Sequence, residues 1–551
     1  MDISIVNKTT ELADCRSAWF LDEKHGCWCL EDILYAPKGK VPLFQRMSIY
    51  APRKLMAPGG IVQEAAKHVP VVFENNAAGY MQMPHSWLDG PRCNARQYLD
   101  AGFVYVTCGC SGRESRDPEG KLTGKAPATL VDLKTAIRFL RHNRESVPGD
   151  LEKIISVGTS AGGAMSSLLA VTGDYPDYLP YLKENGAFLE ESDAVFAAQI
   201  YCPIIDLAHA DQAYEWMFGA DKTCEDSHAG PAETMTPFKE ALSKILAGQY
   251  ITYFNGLELY DPAAGKTLSL NADGRSGSAY DYLMGKLEEA AAKYLSRLPG
   301  KEGFTAEEYL SGDYTFLAPV PEPPGNKDAH HAGPGMDIPE KPERPLSLGE
   351  LMLRPPRGQE LPPMEPKLAL QQGTDKRNWL SWDGNHARIR DLDSYVLNHR
   401  GRMKPCTSFD VLPMTSGENQ VFGTPEQDFV HYNTAIAEAV DALKDSYPEE
   451  YALYYAAYAA AEKDTGLQER MRLMDPMPFI GTQAPCTQAK HYRIRVGGRD
   501  ADTAATVSMA LALKLQKYSC GSVDYAIVWE QPHCDADYPG EVCDWIRKIC
   551  G

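Results

Sequence analysis

The chain has 551 residues, with 55 Lys and Arg against 75 Asp and Glu, a formal charge of −20, and 44% hydrophobic and 24% charged residues. That length allows a large buried core, in about two to four domains or in one large domain carrying an insertion. The acidic balance argues against a nucleic-acid or anionic-membrane partner, because phosphate binding draws on clustered Lys and Arg, and no run reaches the roughly 18 apolar residues of a membrane helix.

Asp2 and the polar residues after it leave no apolar segment at the N-terminus, so no secretory signal is read there and a cytoplasmic location is expected. Fourteen cysteines in such a chain are expected to be free thiols. Cys27-Trp28-Cys29 and Cys108-Gly109-Cys110 are two C-x-C pairs without a C-x-x-C companion or C-x-x-H spacing. They read as small buried apolar residues in preference to a thiolate metal site, and no metal or cofactor is expected.

Residues 1–40 mix aromatic and acidic residues without a period and predict a hairpin or lead-in strand. Gln45 to Pro52 reads as a strand stopped by proline, and Pro70 to Tyr80 as a buried strand running into a small-residue loop. Another buried strand spans Gly102 to Gly109. Leu130, Leu133, Ile137 and Leu140 recur at helical spacing, which predicts a helix from about Ala128 to Arg144. The run Glu152 to Val157 is a strand, Ala161 to Ala170 a helix, and Ala194 to Pro203 the next strand. Continuous apolar strands alternating with helices imply a mostly parallel sheet covered on both faces.

After Asp206 the alternation stops for almost 280 residues. Helix signals dominate there, as in Lys286 to Leu298 and Tyr451 to Glu462, around a proline-rich belt from Pro319 to Pro366 that cannot pack as helix or central strand. His330-His331 inside it reads as a solvated pair. Strand, helix and strand signals resume at Lys490 to Gly498, Asp502 to Lys517 and Ser522 to Glu530, and a last amphipathic helix covers about Pro539 to Cys550. The expected organisation is a core from 1–205 and 485–551, split by a largely helical cap at 206–484 that includes the proline-rich loop 319–366.

Gly158-Thr159-Ser160-Ala161-Gly162 lies between a strand and a helix and fits G-x-S-x-G. In that pattern a serine sits on a strained turn, with its oxygen near the N–H groups that open the helix. A serine hydroxyl needs a base, and the base needs an orienting acid; in the α/β-hydrolase layout they follow in the order Ser, Asp or Glu, His, each after its own strand. His533 is the one histidine after Asp500 and stands just past the last strand; Asp500 is the first carboxylate after the strand ending at Val496. Asp502 already opens the next helix in this reading. Ser160, Asp500 and His533 are therefore the expected nucleophile, acid and base. The oxyanion hole is expected from the N–H groups of Ala161 and of Gly79, in the loop after Phe73.

With these residues in view, the chain resembles the bacterial tannases, tannin acyl hydrolases of the α/β-hydrolase superfamily. The resemblance rests on the segment from Gly158 to Ala164, on Tyr201-Cys202-Pro203-Ile204-Ile205-Asp206-Leu207, on Ser416-Gly417-Glu418-Asn419 and on the segment Arg495 to Thr503. It implies the triad Ser160, Asp500, His533 and a galloyl ring held by Lys404, Glu418 and Asp502. Three adjacent phenolic hydroxyls are donors for two carboxylates, and an ammonium suits their lone pairs or a phenolate. The implied function is hydrolysis of galloyl esters and depsides through an acyl-enzyme, with a small phenolic ester as partner. One departure stands out: fungal relatives carry bonded cysteines beside serine and histidine, whereas Thr159 precedes Ser160 here and leaves Cys534 without such a partner. Other readings are a feruloyl-type or general carboxylesterase of the same fold, and a non-catalytic binding protein. A prolyl-oligopeptidase-type peptidase would bring repeated propeller blades, and the sequence has no internal repeat.

Overall fold

The computed structural model describes residues 12, 18–90, 93–225, 227, 232–298, 304–312, 373–519 and 521–551. The proline-rich loop 319–366 expected from the sequence lies outside the described residues, as does His330-His331. Among the described residues, nine strands form one sheet. β1 (Phe20–Asp22), β2 (Cys27–Leu34) and β3 (Arg46–Pro52) make an antiparallel edge. Beside it run β4 (Pro70–Asn75), β5 (Val104–Cys108), β6 (Asp150–Thr159), β7 (Ala197–Tyr201), β8 (His491–Gly497) and β9 (Ser522–Val528). In spatial order the sheet reads β1-β2-β3-β5-β4-β6-β7-β8-β9, and all neighbours from β5 to β9 are parallel. This is the α/β-hydrolase arrangement.

The apolar runs account for the parallel part. Val71, Val72, Phe73, Ile154, Ile155 and Val157 are almost fully buried, as strands covered on both faces require. α1 (Ala95–Asp100) and the last helix, α11 (Glu541–Cys550), cover one face. α2 (Ala128–His142), α3 (Ala161–Val171) and α10 (Ala505–Tyr518) cover the other. Because β4 sends its chain to β5 on one side and β6 sends its chain to β7 on the other, a crevice opens between the carboxyl ends of β4 and β6. The two C-x-C pairs stay apart: Cys27 and Cys29 face α1 and α11, and Cys108 and Cys110 face the opposite layer.

Between β7 and β8 no described strand joins this sheet. α4 (Leu207–Phe218), α5 (Pro237–Gly256), α6 (Ser278–Leu295), α7 (Gly417–Val421), α8 (Thr434–Ala442) and α9 (Pro448–Ala461) lie in this stretch. α4 and α6 share the core of the sheet, while Phe238, Leu242 and Leu246 of α5 pack with Ile436, Val440 and Tyr458 in a separate apolar cluster. α5 also sends Tyr250 and Phe254 into the main core, so one helix ties the two together. No helix among the described residues is long and apolar enough to cross a membrane.

Candidate active site

Ser160 occupies the turn between β6 and α3 with φ 64° and ψ −124°. A non-glycine residue in that region costs on the order of 1–3 kcal/mol and persists only where its surroundings over-determine it. Here they do. Its N–H donates to the carbonyl of Tyr201 at 3.0 Å, and its own carbonyl accepts from Ala164 at 3.0 Å and from Ile204 at 3.2 Å. Gly158 must lack a side chain, since a Cβ there would meet the carbonyl oxygen of Gly162 at 2.3 Å and Asn75 Nδ2 at 2.4 Å. Asn75, at the end of β4, donates to the carbonyls of Val157 and Gly162 at 3.0 and 3.1 Å and to Ser166 Oγ at 3.0 Å. The elbow is thereby held from the neighbouring strand.

Gly79 sits in the 3-10 turn Ala78–Tyr80 after β4, with φ 57°. Tyr80 donates its hydroxyl to the carbonyl of Ile204 at 2.7 Å, and Ile204 in turn donates to Ser160, so turn and elbow are coupled through one residue. Ala161 is the first residue of α3 and presents an N–H with no intrahelical partner.

His533 follows β9, with Nδ1 3.0 Å from Asp500 Oδ2 and 3.9 Å from Asp502 Oδ2. Asp500 is fully buried, whereas the His533 side chain remains 17% exposed. Burial opposes charging of the ring, yet the charge and hydrogen bond of Asp500, the Cys202 thiol and the Asp502 charge together hold the imidazole well above its ordinary value. The two loops need each other's backbone: a Cβ on Gly497 would meet the carbonyls of Gln531 and Pro532 at 2.2 and 2.3 Å. Arg499 donates its N–H to the Gln531 carbonyl at 2.8 Å. Farther along, the buried Arg493 holds both oxygens of Asp537 at 2.7 Å, and Thr159, beside the elbow, donates its hydroxyl to Asp535. No hydrogen bond joins Ser160 to His533 among the described residues; in unliganded enzymes such contacts are often long and close only with substrate.

The ring-holding candidates sit on two supports. Lys404 is buried, with Nζ 3.7 Å from the centre of the Phe409 ring. Tyr214 of α4 accepts the N–H groups of Met403 and Lys404 at 3.1 and 3.0 Å and donates to the carbonyl of Ala501 at 2.9 Å. That one hydroxyl connects Lys404 to the loop carrying Asp500 and Asp502. The next turn of chain is fixed by Asp211, which accepts from the N–H groups of Ser408, Phe409 and Asp410 at 2.7, 2.9 and 3.1 Å. Burial and the neighbouring Asp410 push the Asp211 carboxyl up to about 6.

Glu418 lies in the first turn of the short helix α7, half-buried, and its charge is felt by Tyr80. Arg113 bridges the same two elements, donating Nε to the Gly79 carbonyl at 3.0 Å and Nη1 to Gln420. Asp502 corrects one expectation. α10 begins at Ala505 with Ala504 as its cap, so Asp502 does not open or cap that helix; it lies in the turn before it, buried, close to His533.

Cys202, Tyr214, Arg113 and Asp535 were not expected from sequence. Cys202 had a signal, its place directly after a strand of the parallel sheet; the other three contribute through contacts spanning more than 280 residues. Cys534 is a free thiol whose Sγ donates to Gln531 Oε1 at 3.5 Å.

Three comparisons bear on this arrangement. A family model described as BD-FAE matches residues 92–227, the stretch from α1 through α4 that includes the elbow. Esterase LipQ of Mycobacterium tuberculosis is 34% identical over 91 residues, a match spanning 16% of this chain and only 20% of that protein's length. The structure of the tannin acyl hydrolase from Lactobacillus plantarum superposes with a TM-score of 0.69 at 27% identity, covering 95% of this chain and 94% of that one. A tannin acyl hydrolase in complex with ethyl gallate gives 0.68 at 26% identity, with 95% and 94% covered. By fold and by this likeness over nearly its whole length, the chain stands among the carboxylic ester hydrolases of the α/β-hydrolase fold and resembles the tannases.

Proposed function

We propose that this protein is a serine esterase that cleaves galloyl esters and depsides and releases gallic acid. Ser160 Oγ attacks the ester carbonyl while His533 accepts its proton, and Asp500 orients the ring and stabilises the imidazolium. The N–H groups of Ala161 and Gly79 receive the oxyanion. His533 then passes the proton to the leaving alcohol, and water, activated by the same ring, releases gallic acid from the acyl-serine. In this reading residues 206–484 form a cap over the core of 1–205 and 485–551 and supply Lys404 and Glu418, which with Asp502 recognise the three ring hydroxyls.

The observation that carries the reading is the Tyr214 hydroxyl bridge. It ties the backbone of Lys404, whose buried ammonium has no carboxylate in ion-pair range among the described residues, to a loop holding two carboxylates beside His533. A desolvated ammonium and a pair of buried carboxylates held on linked segments suit a ligand rich in acidic hydroxyls. The likeness to a tannin acyl hydrolase holding ethyl gallate agrees with it.

The test compares methyl gallate, methyl ferulate and a short p-nitrophenyl ester, with Lys404→Ala and Glu418→Ala alongside. Preference for methyl gallate that disappears in both variants is expected. If methyl gallate is not preferred, or if both variants keep the preference, the galloyl reading fails and a feruloyl-type or general carboxylesterase takes its place.

A further inference from the structure

Cys202 has no part in the hydrolysis proposed above, yet it closes the space beside the His533 ring. It follows β7 directly, with φ 41°, and is fully buried. Its N–H donates to the carbonyl of Arg495 at 2.8 Å, which fixes it against β8. The thiol donates to the carbonyl of Cys534, the residue after His533, at 3.3 Å. Cys202 Sγ, a carboxylate oxygen of Asp500 and a ring nitrogen of His533 all lie within 4.8 Å of one another.

Thiolate, imidazole and carboxylate are donors that zinc and cadmium accept together, whereas magnesium and calcium prefer oxygen alone. With bonds of about 2.3 Å to sulfur and 2.0–2.2 Å to nitrogen and oxygen, donors in a tetrahedral site stand roughly 3.3–3.7 Å apart. An inward movement of about 1 Å therefore brings this set to ligation distance. Entry is open on one side, since the His533 ring keeps some exposure while Cys202 and Asp500 are sealed.

We propose that Cys202, Asp500 and His533 form a binding site for a thiophilic divalent cation such as Zn²⁺ or Cd²⁺, and that occupying it switches hydrolysis off. On binding, the thiol proton leaves to solvent, as does the second proton of any protonated ring, and the imidazole ligates as the neutral ring, its remaining proton on the nitrogen that does not bind. Two negative charges then face the cation's two positive ones. Whichever ring nitrogen ligates, none is left to accept the Ser160 proton. The cation must displace the thiol proton, so binding weakens as pH falls. The loss of activity rests on the hydrolytic reading; the binding does not.

The test is a cadmium titration of the full chain, following the ultraviolet cadmium–thiolate charge-transfer band and the rate on a p-nitrophenyl ester. Wild type is set beside Cys202→Ala, the volume-conserving Cys202→Ser and the pair Cys27→Ser with Cys29→Ser, which removes two close thiols elsewhere, 3.8 Å apart. Each rate is divided by that variant's own metal-free rate. One equivalent of cadmium should raise the band and remove the activity together, reversibly on adding a chelator. Both Cys202 variants should lose the band and need roughly tenfold to a hundredfold more cadmium for half-inhibition, while the Cys27 and Cys29 pair behaves as wild type. An unchanged band and inhibitory concentration in the Cys202 variants overturns the site, and a full band without loss of rate overturns the switch. A wild-type chain with no metal-free rate on any ester defeats the hydrolytic reading instead, and the band still decides the binding.

Discussion

The carboxyl edge of the parallel sheet and the long segment between β7 and β8 solve the same problem, holding polar side chains in fixed positions, by different means. At the sheet edge each chemical group stands within a few residues of a strand, and backbone sterics hold it. Gly158 admits the neighbouring helix, Gly497 admits the His533 loop, and the positive φ of Ser160 aims its oxygen outward. In the intervening segment Lys404 and Glu418 lie on loops and a single-turn helix without such support. There, buried polar anchors far away in sequence do the positioning: Asp211 and Tyr214 from α4, and Glu215 paired with the buried Arg402. In the proposed mechanism the reaction thus depends on short-range geometry that tolerates few side chains, and the choice of ester on hydrogen bonds that one substitution removes.

That contrast can be broken in order of expected effect. Ser160→Ala should lower turnover on methyl gallate on the order of a millionfold, while equilibrium binding of gallate persists; substantial residual turnover would break the sheet-edge half of the comparison. Asp500→Asn should cost about 10⁴ in kcat with little change in fold, measured by steady-state kinetics beside a thermal melt. On the proposed galloyl reading Lys404→Ala and Glu418→Ala each remove a charged hydrogen-bond partner of the substrate worth about 1.5–3 kcal/mol, so each should lose roughly tenfold to a hundredfold in kcat/KM for methyl gallate. Neither should change the rate on an ester that lacks ring hydroxyls.

The pH profile separates the regions more finely. Protonated His533 cannot take the Ser160 proton, so activity is lost as pH falls through its raised value, and the acid limb should lie above that of an ordinary imidazole. Asp502→Asn should move that limb downward, because one charge that favours the imidazolium is gone. A limb that stays in place would mean Asp502 acts on the ring of the substrate alone. The smallest effect is expected at Thr159→Val, which removes the hydroxyl held by Asp535 and leaves the His533 loop pinned by Arg493 and Asp537. A loss of severalfold in kcat, about 0.5–1.5 kcal/mol, is expected.

The same division explains what was legible in the sequence. Strand runs such as Val71-Val72-Phe73 and the helix period of Leu130, Leu133, Ile137 and Leu140 announce the sheet and its cover, because local burial dictates them. Ser160, Asp500 and His533 could be proposed from chain order alone, since each stands directly after a strand. Tyr214 could not: its hydroxyl links residues 190 and 287 positions away, and nothing in an amphipathic helix marks one tyrosine as a bridge. Asp502 looked like a helix opener because a carboxylate before an alanine-rich run usually is one. The helix starts three residues later, which leaves that carboxylate turned toward His533.

The most direct test of the account is covalent labelling with a fluorophosphonate ester, followed by peptide mapping. A single phosphonylated residue is expected, Ser160, protected by excess methyl gallate in wild type and left unprotected in Glu418→Ala. Labelling at another residue, or labelling of Ser160 that methyl gallate does not slow in wild type, would contradict it.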